Sequence, residues 1–417
     1  MHPAVDWVLA AMGVFVFGYP FIGGWYWTAG GLLFYAVHQW RMAPADQPPP
    51  LDHWPPISIL VPCYNEGENA EETLAIAAAV DYPEFEVIAI NDGSGDNTAE
   101  VLERLAGRIP NLRVVHLATN RGKATALNTG ALLARHELLV CIDGDALLDS
   151  HALRWIARAF RHPDVGGLGG NPRIRNRTTV LGRMQVGEYA SIIGLIRRAQ
   201  TMYGRLFTVS GVICAFRKRA LDDAGWWSPR TITEDIDVTW RLQVAGWRVI
   251  YEPNAVVWIL TPETLRGLWR QRLRWAEGGF QMLQAFFRPM IAGRAPSMAP
   301  AYLNYLAGVL WSYSALVTIG VGLLRSLGLG PPGSPRVLVP EWWGLTLILT
   351  YLPQALISHF LDRRYERGIL RSVFWVIWYP LAFWVLSALT TVVAVPRVLT
   401  QPRKEHTTWV SPDRGLR

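Results

Sequence analysis

Several polar clusters in this chain have the residue types and spacing to do chemistry. Asn91-Asp92-Gly93-Ser94 closes one apolar run and Asp143-Gly144-Asp145 closes another. A carboxylate before a Gly turn can accept hydrogen bonds from a nucleobase or ribose, although Asp-Gly is also a common solvated turn. Two carboxylates flanking a glycine can hold Mg2+ or Mn2+ through one or two oxygens, leaving the other positions to phosphates and water. Thr233-Glu234-Asp235 precedes the helical pattern IDVTWRLQVAGW. Acidic residues suit the first turn of a helix; the alternative is a general base that takes the proton of a sugar hydroxyl attacking an anomeric carbon. Asp235 is favoured as that base, and the residues alone do not separate it from Glu234. Gln271, Arg274 and Trp275 fall within one turn of a later helix. Arginine can clamp a diphosphate bidentately, and an indole offers a flat apolar face to a sugar ring. Arg121 and Lys123, in NRGKATALN, open another helix, where phosphate binding is common.

Such residues need a scaffold that presents strand ends. Short apolar runs at 57–66, 86–92, 112–118 and 137–145 alternate with Ala- and Leu-rich helical segments. Apolar strands separated by helices predict a parallel sheet covered on both faces. The expected α/β domain spans 57–260, with ligands bound beyond the carboxyl ends of its strands. Residues 44–56 (PADQPPPLDHWPP) read as a Pro-rich linker, a stiff spacer rather than a packed element.

The flanking regions have membrane character. Within residues 1–43, apolar stretches at 7–19 and 21–38 are broken at Pro20 and predict a transmembrane hairpin. The first is short of the roughly 20 residues that a span requires, so an interfacial placement of one stretch is the alternative. In 263–287, part of an interfacial region over 261–300, Leu265, Leu268, Trp269, Leu273, Phe280 and Leu283 recur at helical spacing. Arg266, Arg270 and Arg274 step by four, giving a basic amphipathic helix suited to a membrane surface; an ordinary half-buried helix is the plainer reading. Apolar runs at 302–327, 342–361 and 372–395 predict membrane helices over 301–395, before a tail at 396–417. The loop 362–371 carries Arg363, Arg364, Arg367 and Arg371, which the positive-inside rule places in the cytoplasm, and counting back two spans places 41–301 there too. The same count puts the tail outside despite Arg397, Arg403 and Lys404, unless the last segment re-enters at a bend near Pro380.

Composition agrees with this hybrid. Of 417 residues, 51% are hydrophobic and only 18% charged, between a soluble enzyme and a helical membrane bundle. Twenty tryptophans suit membrane interfaces. The net charge of +7 fits an anionic membrane face or a phosphate-bearing substrate. Zinc-finger spacing, a recognition-helix pattern and RNA-binding aromatic motifs are all missing, so no nucleic-acid partner is expected. Cys63, Cys141 and Cys214 show no paired spacing and read as reduced core residues. The first apolar run lacks a basic leader and a second follows at once, which suggests retained anchors.

The motifs PCYNE (62–66), NDGS (91–94), RGKATALN (121–128), DGDA (143–146), SGVICAF (210–216), ITED (232–235) and QRLRW (271–275), in this order, resemble the inverting family 2 glycosyltransferases. That group has a GT-A catalytic domain and includes cellulose, chitin and hyaluronan synthases. VCIDGDALLD (140–149), GNPRIRNR (170–177), QVGEYASIIGLIRR (185–198), TITEDID (231–237) and WVSPDRG (409–415) are similar to the poly-β-1,6-N-acetyl-D-glucosamine synthases of bacterial biofilms. The resemblance runs from residue 57 to the C terminus; the N-terminal spans match in character. It implies a Rossmann-like GT-A α/β domain embedded in an α-helical transmembrane region. It also implies processive transfer of N-acetylglucosamine (GlcNAc) from UDP-GlcNAc to a growing polymer, coupled to passage across the inner membrane.

The resemblance further assigns roles. Pro62, Tyr64, Glu66 and Asp92 would hold uridine, with Lys123 beside them; Asp143 would contact the nucleotide and, with Asp145, the metal, Mg2+ or Mn2+. Asp235 would be the base, and Gln271, Arg274 and Trp275 would seat the diphosphate and acceptor. Asn171 and Arg173 become candidate acceptor or subunit contacts, and Ser210 and Gly211 would lie near the acceptor. A small membrane partner subunit, activation by cyclic di-GMP and hand-over to export proteins are implied as well. The chain has no recognisable cyclic di-GMP domain, so such control would sit at the subunit interface or in the partner. The rival expectations are a polymerase of the chitin, hyaluronan or cellulose type, a transferase acting on a polyprenyl phosphate, and an inactive scaffold subunit. The intact Asp92, Asp145, Asp235 and Trp275 argue against the last.

Overall fold

The computed structural model describes residues 3–329, 342–366, 368–376, 378, 380–401 and 407–408. Helix α1 (Pro3–Phe34) passes through a π-helical turn into the linker. The α/β domain follows as β1 (Ile57–Cys63), α2 (Ala70–Ala78), β2 (Phe85–Asp92), α3 (Thr98–Ala106), β3 (Leu112–Leu117), α4 (Lys123–Leu133) and β4 (Leu138–Ile142). It continues with β5 (Leu147–Leu148), α5 (Ala152–Ala159), β6 (Val165–Ile174), α6 (Val180–Glu188), α7 (Leu195–Met202), β7 (Ile213–Arg217), α8 (Lys218–Ala224), α9 (Glu234–Val244) and β8 (Arg248–Ile259). Beyond it lie α10 (Leu265–Ile291), α11 (Ala299–Ser326), α12 (Trp342–Asp362), α13 (Val373–Val376) and α14 (Val385–Thr400).

The strands form one sheet in the order β3-β2-β1-β4-β7-β6-β8-β5. The expected parallel arrangement holds for β3, β2, β1 and β4. Beyond β4 the sheet is mixed, because β7 runs antiparallel to both β4 and β6, and β5 antiparallel to β8. The glycine-rich stretch Gly166–Asn171 inside β6 has no apolar alternation, so periodicity does not reveal that strand. Alternate residues of the central strands face two apolar layers. Ile59, Val61, Val87 and Val140 pack with α2, α3 and α5, whereas Leu60, Ile88, Leu139 and Cys141 pack with α4, α8 and α9. Cys63, Cys141 and Cys214 are buried and in no disulfide.

This pairing converges the loops that matter. Register Cys63↔Asn91 sets the ends of β1 and β2 side by side, and Ile142↔Ile213 sets the end of β4 against the start of β7.

Two sequence expectations are corrected and a third is narrowed. First, α1 is one helix through Pro20, not a hairpin. Proline removes the N–H that would bond the carbonyl four residues back. Here that carbonyl, on Val16, accepts a hydrogen bond from Trp311 Nε1 at 2.8 Å, so the helix continues. Second, the linker is packed. Trp155 Nε1 donates to Ala45 O at 2.8 Å, Trp54 meets the ring of Tyr82, and Arg154 lies over Trp54 at 4.9 Å. Third, of the two placements left open for the tail, its described residues have the one that a re-entrant last segment gives: Arg397 pairs with Glu277 on α10 at 3.2 Å, and Thr407 N donates to Pro229 O at 2.9 Å. Residues 369–400 thus begin and end beside the α/β domain, interrupted by a π-turn at Pro380–Trp384. Arg367, Arg403, Lys404 and the WVSPDRG segment lie outside the described residues.

Among the described residues, helices Trp7–Gln39, Pro296–Ser326 and Ala382–Thr400 are long and apolar enough to cross a membrane. A buried ionic cluster joins the end of α12 to the α/β domain. Arg173 pairs with Asp362 at 2.6 Å and Glu366 at 2.7 Å, and Arg198 with Asp362 at 2.8 Å. Arg364 donates to the carbonyls of Gln39, Met42 and Ala43. The arginine-rich loop and the domain therefore lie on one side of the membrane helices. In α10 the buried face holds Leu268, Leu273, Met282, Leu283 and Phe286; Leu265, assigned to the apolar stripe by spacing, is 78% exposed.

Candidate active site

The site lies at the carboxyl ends of β1, β2 and β4. After β1 the chain turns through Asn65, whose φ of 54° is left-handed; its side chain accepts from Gly95 N at 2.9 Å and its own N–H donates to Ser94 Oγ at 3.0 Å. Asparagine tolerates this conformation better than most residues. Glu66 N donates to Thr98 Oγ1 at 2.8 Å, so the loops after β1 and β2 are locked together. Tyr64 is half-buried on this loop and Glu66 fully buried. Pro62 O and Glu66 pack against Gly144, which leaves no room there for a side chain.

Asp92 is buried and receives Arg121 N at 2.9 Å and Gly122 N at 2.8 Å, one on each oxygen. Burial pushes its carboxyl above the ordinary aspartate range, opposed by those two N–H groups. Its structural role is to hold the turn that starts α4. That turn delivers Lys123 to the centre of the site. Lys123 Nζ pairs with Asp143, donates to Gly211 O at 3.0 Å and lies 3.6 Å from Glu234. Burial works against its charge, but Asp143 and Glu234 outweigh it and hold the ammonium above the usual lysine range.

Gly211 is read from both sides: its carbonyl takes Lys123, and its N–H donates to Asp235 Oδ2 at 3.1 Å. The preceding Ser210 has a φ of 75°, a left-handed conformation that costs a non-glycine residue about 1–2 kcal/mol. Thr208 Oγ1 also donates to Asp235 Oδ2 at 3.1 Å, and Ile236 N to Oδ1 at 3.0 Å, leaving the half-buried carboxylate fixed at the first turn of α9. Glu234 is more deeply buried. Burial raises its carboxyl and nearby Asp235 adds to this, while Lys123 and Arg274 oppose it.

Helix α10 closes the far wall. Gly278 sits against Thr233, where a Cβ would overlap the threonine side chain, and Ile232 N donates to Gln281 Oε1 at 3.0 Å. Gln271 Oε1 is buried without a donor among the described residues. Arg274 is exposed and acts electrostatically on Glu234. Thr407 crosses the rim between Pro229 and Gly122.

Of the residues singled out in the sequence, Lys123, Asp143, Gly211, Glu234 and Asp235 thus meet, with Asp145 buried one residue beyond Gly144. Asn171 and Arg173 do not join them. Asn171 Nδ2 is spent on Pro253 O at 2.8 Å, and Arg173 lies in the ionic cluster with Asp362 and Glu366. Strand β6 turns both inward, so they serve the fold rather than a surface. Sequence reasoning overlooked Thr208, Glu188 and Arg272. Arg272, three residues before Trp275 on one helix face, was the one within reach of a spacing argument.

No group of three or more His, Cys, Asp or Glu side chains is arranged for a metal among the described residues. Asp143 and Asp145 still fit a hard cation in donor chemistry, since such ions are often bound by one or two carboxylates with phosphates and water completing the shell. Asp143 would have to share its oxygens with Lys123.

Residues 55–278 match the profile described as "Glycosyltransferase like family 2". The poly-β-1,6-N-acetyl-D-glucosamine synthase of Staphylococcus aureus (strain COL) is 38% identical over 405 residues, 96% of this chain and 98% of that protein. The synthase of the same name from Staphylococcus epidermidis is 39% identical over 365 residues, 86% of this chain and 87% of that one. Among solved structures, a mannosyltransferase of Pyrobaculum calidifontis in complex with GDP-Man and Mn2+ superposes with a TM-score of 0.64 at 20% identity, covering 95% of this chain and 99% of that one. That last likeness concerns the fold. With the profile spanning the Lys123–Asp143–Glu234–Asp235 cluster and relatives aligned along nearly its full length, the chain belongs to glycosyltransferase family 2.

Proposed function

We propose that this enzyme is a processive, inverting transferase that adds GlcNAc from UDP-GlcNAc to a growing poly-β-1,6-N-acetyl-D-glucosamine chain and passes the product across the bacterial inner membrane. The observation that carries the reading is Asp235. It is fixed by Gly211 N–H and Thr208 Oγ1 beside the Lys123–Asp143–Glu234 cluster and below α10, within a chain 38% identical to synthases of that name.

In the single displacement, Asp235 takes the proton of the acceptor 6-hydroxyl as that oxygen bonds to C1 of the donor. The bond from C1 to the diphosphate breaks, UDP leaves, and the configuration inverts. Lys123 and Arg274 supply positive charge near the departing diphosphate, which is worth most where charge develops. Asp145, with Asp143, would hold Mg2+ or Mn2+; when bound, the ion adds Lewis-acid stabilisation to the same phosphates. Pro62, Tyr64, Glu66 and Asp92 form and brace the loop expected to take uridine. The buried Gln271 Oε1 suits a donor from substrate.

The α/β domain shares its side of the membrane helices with the arginine-rich loop, which supports a cytoplasmic placement. Biofilm production, a small membrane subunit and cyclic di-GMP control belong to the same reading, with no residue assigned to them. Membrane vesicles carrying the full chain, with its partner if one co-purifies, test the proposal when supplied with labelled UDP-GlcNAc and Mg2+. Polymer degraded by a β-1,6-specific hexosaminidase is expected. Incorporation from UDP-glucose or UDP-glucuronate instead would overturn the substrate assignment.

A further inference from the structure

Between Gln271 and Arg274 lies a residue that the functional reading does not use. Arg272 is buried, and its guanidinium donates to Glu188 at 2.7 Å, the two side chains being 8% and 7% exposed. The same guanidinium lies 4.1 Å from the centre of the Trp275 ring and 5.9 Å from that of Phe383. Glu188 is the last residue of α6, just before the π-turn Tyr189–Gly194. Its neighbour Gly187 is packed so tightly on Val376 of α13 that a Cβ would overlap it. Trp275 is therefore tied through one ion pair to α6 and, on the other side, to the re-entrant segment carrying Val376 and Phe383.

A buried ion pair is weak evidence of stability, because desolvation offsets most of the attraction. It is better suited to holding one geometry. Arginine does this for an indole, since its planar guanidinium can stack on the ring while its N–H groups meet a carboxylate. Lysine offers a point charge and no plane.

We infer that Arg272 and Glu188 are positioning residues that set the Trp275 face for the acceptor sugar and couple it to the last membrane segment. This rests on the polymerase reading above and adds the part of the site that keeps the chain end engaged between additions. Loosening Trp275 should leave donor binding intact, because Lys123 is held by Asp143 and Gly211, and the loops after β1 and β2 by each other through Ser94 and Thr98. Transfer should fall, while UDP release without sugar incorporation takes a larger share.

The test uses the full chain in vesicles, with the donor that the wild type polymerises, and two variants, Arg272→Lys and Glu188→Gln. For Arg272→Lys the expectation is a fall of about tenfold or more in kcat for incorporation, an unchanged KM for donor, shorter polymer and a raised ratio of UDP released to sugar incorporated. Glu188→Gln should move the same readouts in the same direction, less far. Two results overturn the inference. One is wild-type polymer length and release ratio in both variants. The other is a parallel loss of donor affinity and turnover, the mark of general structural damage. A wild type that polymerises no GlcNAc instead sinks the functional reading, which separates the two failures.

Discussion

Replacing Asp235 by Asn and, separately, Glu234 by Gln discriminates between two adjacent carboxylates that differ in surroundings. In Asp235→Asn the new side chain would keep a carbonyl against Gly211 N–H and Thr208 Oγ1, the two contacts now on Oδ2. Its amide nitrogen would then face Ile236 N, where Oδ1 now accepts at 3.0 Å. One lost hydrogen bond is worth about 1 kcal/mol, so folding and donor binding should survive. The proton acceptor, however, is gone, and general-base catalysis contributes about 10²–10⁴ in rate, or about 3–5 kcal/mol of barrier. Glu234 stands 3.6 Å from Lys123, which keeps Asp143 as a partner when the glutamate is neutralised. Burial already disfavours its charge, so Glu234→Gln should lower the rate less than about tenfold. Initial rates of labelled polymer formation in vesicles, with nucleotide affinity measured on the same preparations, give the comparison. Should Asp235→Asn keep more than about a tenth of the wild-type rate while Glu234→Gln collapses it, the base is Glu234 and the assignment of Asp235 is wrong.

Glu252 on β8 is buried, and burial lifts its carboxyl to about 7 against the Asn254 N–H and the charges of Arg158, Arg364 and Arg198. A carboxyl raised in the folded state stabilises the protein fully below its unfolded value and loses that contribution as pH rises through the folded one. Stability should therefore fall by about 3 kcal/mol between about pH 4.5 and about pH 7; thermal unfolding in detergent across that window should show the fall in the wild type and a flatter profile in Glu252→Gln. Asp362→Asn should leave Arg198 in the interior without a carboxylate and Arg173 with Glu366 alone, and cost about 3–5 kcal/mol, read as a lower unfolding temperature; an unchanged temperature would remove the cluster as the anchor between domain and membrane helices. Trp311→Phe should uncap Val16 O and destabilise the chain by about 1 kcal/mol. Adding Pro20→Ala restores an N–H to that carbonyl, so the double variant should recover; additive losses would refute the capping.

Much of this architecture was legible because it is local. Strand ends at Asp92 and Asp143, the first turn at Glu234 and the basic face of α10 follow from apolar period and short-range preference, and those features determined the fold class and the membrane character. What local pattern cannot carry is partnership across distance. Pro20 reads as a break until Trp311 supplies the missing donor, nearly three hundred residues on. Arg173 sits in a motif that looks functional, yet Asp362 and Glu366 claim it for the interior. Counting spans put the tail outside unless the last segment re-enters, and only the packing of Arg397 on Glu277 and of Thr407 on Pro229 brings its described residues back beside the α/β domain and α10. The active site shows the same division. Residue types offered both Glu234 and Asp235 as bases, with Asp235 favoured but not separated from its neighbour; the antiparallel placement of β7 beside β4, which presents Gly211 to Asp235 and to Lys123 at once, is what gives the two carboxylates different surroundings.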